Sequence, residues 1–194
     1  MNTIKIVALF LIGILLFAAC GVTAPTNQFP TTRTIQGNVF TYQVTVSVSG
    51  IVRLFNKDNQ YRVGDGRRSL RDGSPIPPNF WMANIDPLTD IVGPLKECSD
   101  VINSQVSAIV RDALSAAERQ RVGNSLLDVY LRIDPDTGLL FEVEFGFVTE
   151  NPFATIPVQV FRIIEVNLKE QLRFTPTERG RKLNFISPGV RVRL

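Results

Sequence analysis

Leu126-Leu-Asp-Val-Tyr-Leu-Arg-Ile-Asp-Pro-Asp-Thr-Gly-Leu-Leu-Phe-Glu-Val-Glu-Phe-Gly-Phe147 is the stretch on which the fold turns. Leu127, Val129, Leu131 and Ile133 alternate with Asp128, Tyr130 and Arg132. Asp134 to Gly138 supplies turn residues. Phe141, Val143, Phe145 and Phe147 then alternate with Glu142, Glu144 and Gly146. A period of two on both sides of a turn predicts a β-hairpin with one apolar face. Glu142 and Glu144 share the opposite face, which is expected to be wet. Beyond the hairpin the period lengthens. Pro157 suits a first helical turn, and Val160, Ile163, Ile164, Leu168 and Leu172 recur at helical spacing. Phe174-Thr175-Pro176 ends that helix, and Leu183 to Ile186 and Val190 to Leu194 read as short closing strands.

Upstream, Leu95, Cys98, Val101, Ile102, Val106, Ile109 and Val110 predict another helix between Asp90 and Arg121. Cys98 lies in its apolar stripe, as an unreactive packing residue. Ser115-Ala116-Ala117-Glu118 has capping-box spacing and opens a second short helix before Gly123. Val39, Tyr42, Val44, Val46 and Val48 predict a strand, turned at Ser49-Gly50 into a partner strand over Ile51 to Phe55. Asn56 to Asn79, rich in Gly, Pro, Asp and Asn, reads as loop, and Phe80-Trp81-Met82 as an aromatic anchor for it. The expected class is α+β: a β-rich N-terminal part and helical middle over 38–125, then a hairpin, helix and strand over 126–194, possible parts of one continuous domain.

The C-terminal order resembles the C-terminal domain of TonB-type energy transducers. The residues carrying the likeness are Asp134 to Gly138, Val143 to Phe147, Asn151-Pro152, Ile163-Ile164-Glu165, Phe174-Thr175-Pro176-Thr177 and Gly180. The resemblance covers Leu126 to Leu194 and implies a fold rather than an activity. TonB transducers keep an uncleaved membrane helix and a long Pro-rich span, in contrast to the N-terminus here.

Met1 to Lys5 carries one positive charge, and Ile6 to Ala19 is apolar apart from Gly13, the layout of a cleavable signal peptide. A spanning helix needs about 20 apolar residues, so export with removal of residues 1–19 is expected. Leu16-Phe17-Ala18-Ala19-Cys20 resembles a bacterial lipobox, which implies lipid attachment at Cys20. The alternative is a soluble secreted protein cut after Ala19 or Ala24. Lipidation leaves Cys98 alone; an unmodified Cys20 could bridge to it in an oxidising compartment. Residues 20–37, rich in Thr, Pro, Gly, Asn and Gln, read as a tether. The whole also resembles a group of Bacteroidetes lipoproteins that join a β-rich first half, a helical middle and a TonB-like tail. Gly21-Val22-Thr23-Ala24-Pro25 has none of the acidic residues that mark surface lipoproteins of that phylum. The resemblance therefore implies an outer-membrane lipoprotein facing the periplasm.

The chain has 21 basic and 18 acidic residues and no histidine. From Arg162 onward it carries eight basic residues against three acidic, while Asn84 to Glu150 carries five against twelve. A small overall excess cannot neutralise a phosphate track, so nucleic acid is excluded as a partner. Without histidine, Ser-His and Cys-His nucleophiles and the usual zinc sets are absent. Asp134 and Asp136 lack the further ligands of a calcium loop and read as turn chemistry. No cofactor, metal or catalytic residue is expected. The function read from the sequence is a non-catalytic binding or assembly module, with an open strand edge able to pair with a partner segment. A carboxylate-dependent enzyme built in Asn56 to Asn79 is the alternative. Candidate partner-binding residues are Arg67, Arg68 and Arg71, and Arg179, Arg181 and Lys182, for an envelope protein or an anionic glycan; a solvated face is the plain reading of both clusters.

Overall fold

The computed structural model describes residues 31–35, 38–61, 69–80 and 96–194. Strands β1 (Thr31–Ile35), β2 (Asn38–Val46), β3 (Ile51–Asn56), β4 (Leu126–Ile133), β5 (Leu140–Val148) and β6 (Gly189–Arg193) make one antiparallel sheet in the order β1-β2-β3-β5-β4-β6. Helices α1 (Lys96–Ala113) and α3 (Val158–Gln171) pack against it, and the short α2 (Ala116–Val122) links α1 to β4. The expected α+β class is what is found. The hairpin–helix–strand order of the tail is present as β4, β5, α3 and β6. It is not set apart, because β5 also pairs with β3, with Leu54 opposite Phe145.

The register explains the core. Tyr42, Val52, Leu54, Val143, Phe145, Leu127, Val129, Leu131, Val190 and Val192 fall on the helix-facing side and are buried. From α1 come Ile102, Val106, Ile109 and Val110; from α3 come Val160, Phe161, Ile164 and Leu168. Phe161 lies against Phe145, with ring centroids 5.1 Å apart, and stacks on Phe147. Burying one such side chain fully contributes about 1.5–3 kcal/mol, so this layer is the main source of stability. Ser115 caps α2 in a capping box with Glu118, as the spacing required.

Several expectations are corrected. Val101 and Ile163 were placed in buried stripes but are 53% and 39% exposed, because each sits one position off the line facing the sheet. The inward set of β2 contains Phe40 and Tyr42, while Val46 and Val48 are exposed beyond the helices. Part of the expected tether forms β1, Thr31–Ile35, whose threonines and isoleucine suit a pleated ribbon beside β2. In the last segment, Leu183 and Ile186 make isolated bridges to Leu70 and Ile133 rather than a strand of their own. Glu142 and Glu144 are not wet: both are buried, for reasons given below. Residues 1–30 with Cys20, and Arg67, Arg68, Trp81, Met82 and Leu95, lie outside the described residues, as does the side chain of Cys98.

Candidate functional site

The sheet has two chemically different faces. On the helix side one carboxylate among the described residues, Glu165 of α3, is fully buried. It accepts a hydrogen bond from the Tyr42 hydroxyl and ion pairs from Arg162 at 3.1 Å and Lys169 at 2.6 Å. The cations come from i−3 and i+4 on the same helix, so α3 itself supplies the compensation that a buried charge requires. This cluster clamps α3 to β2. Burial, reinforced by the Glu165 charge, pushes the Tyr42 phenol well above its ordinary range. A phenol held high in the folded state stabilises fully below its unfolded value, about 10, and loses that contribution as pH rises toward the folded value. Wild type should therefore lose stability more steeply above that pH than Tyr42→Phe, measured by denaturant titration across the alkaline range. Parallel curves would remove Tyr42 as the titrating group.

On the outer face, Glu144 lies between two arginines, 3.7 Å from Arg53 Nη1 and 4.0 Å from Arg132 Nη2. Arg132 donates to Ser187 Oγ at 2.7 Å, and its guanidinium lies over the Phe185 ring. Glu142 accepts the backbone N–H groups of Gln60 at 2.5 Å and Tyr61 at 3.1 Å. Tyr61 in turn packs on Phe185 and Phe141. Two loops thus fold over the strand face that the alternation had left to water, and burial raises the Glu142 carboxyl against those N–H bonds.

Beside this covered region the outer face is open. Gly146 and Gly189 leave a flat floor on which the Tyr130 ring lies; a Cβ at Gly146 would stand 3.1 Å from Tyr130 Cε2. The Arg53 guanidinium covers the ring at 4.3 Å from its centroid. Next to this stack is a concavity of about 480 Å³ bordered by Ile51, Arg53, Asp128, Tyr130, Arg191 and Arg193. Arg191 is held by a fork onto Asp128, at 2.7 and 3.3 Å, which keeps its guanidinium firmly protonated. The far side of the groove is the rim of the sheet. Ile133 and Leu131 donate to Ile186 and Pro188, so antiparallel alternation turns the backbone groups of Gly189, Arg191 and Arg193 away from β4. Among the described residues no strand pairs beyond β6.

The sequence-predicted basic residues gather elsewhere. Leu70 bridges Leu183, and Arg71 N donates to Lys182 O at 2.9 Å, bringing Arg71 beside Arg179, Arg181 and Lys182 near the β4–β5 turn. Asp136 meets Arg71 in an ion pair at 2.5 Å, and its carbonyl lies 3.5 Å from Arg181 Nη1. Arg179 sits over the Phe80 ring. The groove residues Arg53, Tyr130, Arg191 and Arg193 went unnoticed in the sequence because they come from three strands. The available signal was Gly146, a glycine inside a strand, which marks a close approach.

Residues 95–188 match the model of a family described as a domain of unknown function, DUF5043. The DUF5043 match runs from the start of α1 to the residue before β6, and so includes the helical middle together with the hairpin and α3. A solved structure of a DUF5043 family protein from Bacteroides uniformis ATCC 8492 is similar at 28% identity and a TM-score of 0.66, over 84% of this chain and 85% of that one. That source agrees with the Bacteroidetes kinship read from the sequence. No curated protein matches this chain.

Proposed function

We propose that this chain is an exported lipoprotein, anchored through Cys20 and facing the periplasm, that acts as a non-catalytic binding or assembly module. Its partner adds an extended segment along β6, and the basic residues Arg71, Arg179, Arg181 and Lys182 provide a second contact for an acidic surface. The observation that carries this reading is the β6 edge, whose outward backbone groups at Gly189, Arg191 and Arg193 meet no further strand among the described residues. Main-chain hydrogen bonds along such an edge give affinity, and neighbouring side chains give selectivity. The likeness of the tail to the TonB C-terminal domain supports the same kind of use.

The test is photo-crosslinking in intact cells from residue 193. Arg191→Pro removes one edge N–H without touching the ladder to β4, whereas Arg191→Ala removes only the side chain. A defined protein adduct that survives Arg191→Ala and disappears with Arg191→Pro is expected. Identical adducts in both variants would overturn strand addition. Cys20→Ser should abolish fatty-acid labelling and release the protein from membranes; retention would overturn the anchor.

A further inference from the structure

We propose that the concavity beside the Arg53–Tyr130 stack is a binding site for a small organic carboxylate bearing a short apolar group. The volume, about 480 Å³, lies within the range of small-molecule sites. Three guanidinium groups border it against one carboxylate, Asp128, and that carboxylate is already engaged by Arg191. Arg193 makes no ion pair among the described residues, so its charge is open to a ligand. Arg53 is fixed by the ring beneath it and by Glu144 behind it, which lies 3.7 Å from its buried Nη1. A planar fork held in place this way loses little side-chain freedom when it receives a carboxylate. The border next to Arg53 on β3 and β5 is apolar, with Ile51 and Val148 37% and 48% exposed, and faces Arg193 across the sheet. A ligand with a carboxylate at one end and a branched alkyl group at the other satisfies both borders; a phosphate or a bare sugar satisfies only the first.

Such a carboxylate can come from a free acyl acid or from the C-terminus of a peptide. The inference does not rest on strand addition, since it uses side chains of β3, β4 and β6 on the outer face, whereas strand addition uses the outward backbone groups of β6. The experiment titrates the purified full chain with 4-methylpentanoate and with N-acetyl-leucine, against the neutral 4-methylpentanamide and N-acetyl-leucinamide, following arginine Nε–H and tyrosine ring resonances by NMR. At least one acid should shift Arg53, Arg193 and Tyr130, with its amide weaker by about ten-fold or more, since a charge-assisted fork is lost. Response to the acyl acid alone assigns a free acid, and response to N-acetyl-leucine alone assigns a peptide end. Arg193→Gln should weaken binding by about ten-fold at unchanged melting temperature. Arg53→Lys, which keeps the charge and loses the fork, should weaken it as well. Equal binding of acid and amide, no shift at these residues, or unchanged affinity in Arg193→Gln would overturn the proposal.

Discussion

Ile164→Asp is expected to be among the most destabilising single substitutions in this protein. Ile164 is fully buried between α3 and the sheet, and the cations nearest in sequence, Arg162 and Lys169, are already committed to Glu165. A lone carboxylate there would stay charged against an apolar wall or take up a proton, at a cost of about 4–5 kcal/mol, near the upper end for single substitutions. Whole domains are stable by about 5–15 kcal/mol, so roughly a third or more of the margin is removed. Guanidinium unfolding monitored by circular dichroism measures it. Ile163→Asp, one residue away on the exposed side, should change the unfolding free energy by no more than about 0.5 kcal/mol. If the neighbouring substitutions cost the same, α3 does not present the face described.

Gly138→Ala should be nearly as damaging, for a reason that lies in the backbone. Gly138 has φ of 70°, and a Cβ there would stand 1.8 Å from the Phe174 carbonyl oxygen and 2.9 Å from its carbon. The left-handed conformation alone costs an alanine about 1–2 kcal/mol. The collision then forces the Phe174 segment away, breaking the Phe174 N–H bond to Gly138 O and exposing a ring that is buried. The expected total is about 3–4 kcal/mol, read as a shift in the unfolding midpoint. Asparagine tolerates the left-handed region, so Gly138→Asn separates the two causes. It should be as destabilising as alanine, because contact rather than φ dominates. A mild Gly138→Asn would show that the segment can yield.

These two sites show where sequence reading succeeds and where it stops. The strong periodicities of β4, β5, α1 and α3 arise because each element buries one face, and that is written locally in the order of residues. Asp134 and Gly138 announce a turn by composition, but the approach of Phe174 to the turn depends on residues far along the chain. The buried state of Glu142 and Glu144 failed for the same reason. Alternation says that two residues share a face, not that the backbone of Gln60 and Tyr61 will cross it. The paired clusters of Arg71 and Arg179 to Lys182 were named from composition, while their meeting is set by the Leu70–Leu183 bridge. The groove was hidden longest, since it needs the strand order that places β3, β4 and β6 around one glycine floor.

That strand order also governs how the molecule comes to exist. The centre of the sheet is the pairing of β3 with β5, in which Ile51 lies opposite Val148, about half the chain away, and the β6 edge is distant too, with Leu126 opposite Arg193; only the β1 edge is local. The first three strands form a ribbon that has no apolar layer to rest on until β5 and α3 have been made. Chains dominated by such distant pairings fold slowly, on the millisecond to second scale rather than in microseconds. A nascent chain therefore holds its ribbon of β1 to β3 without a finished core. Strand β6, made after the other five, is added next to β4, and the six-stranded sheet exists only once it has emerged.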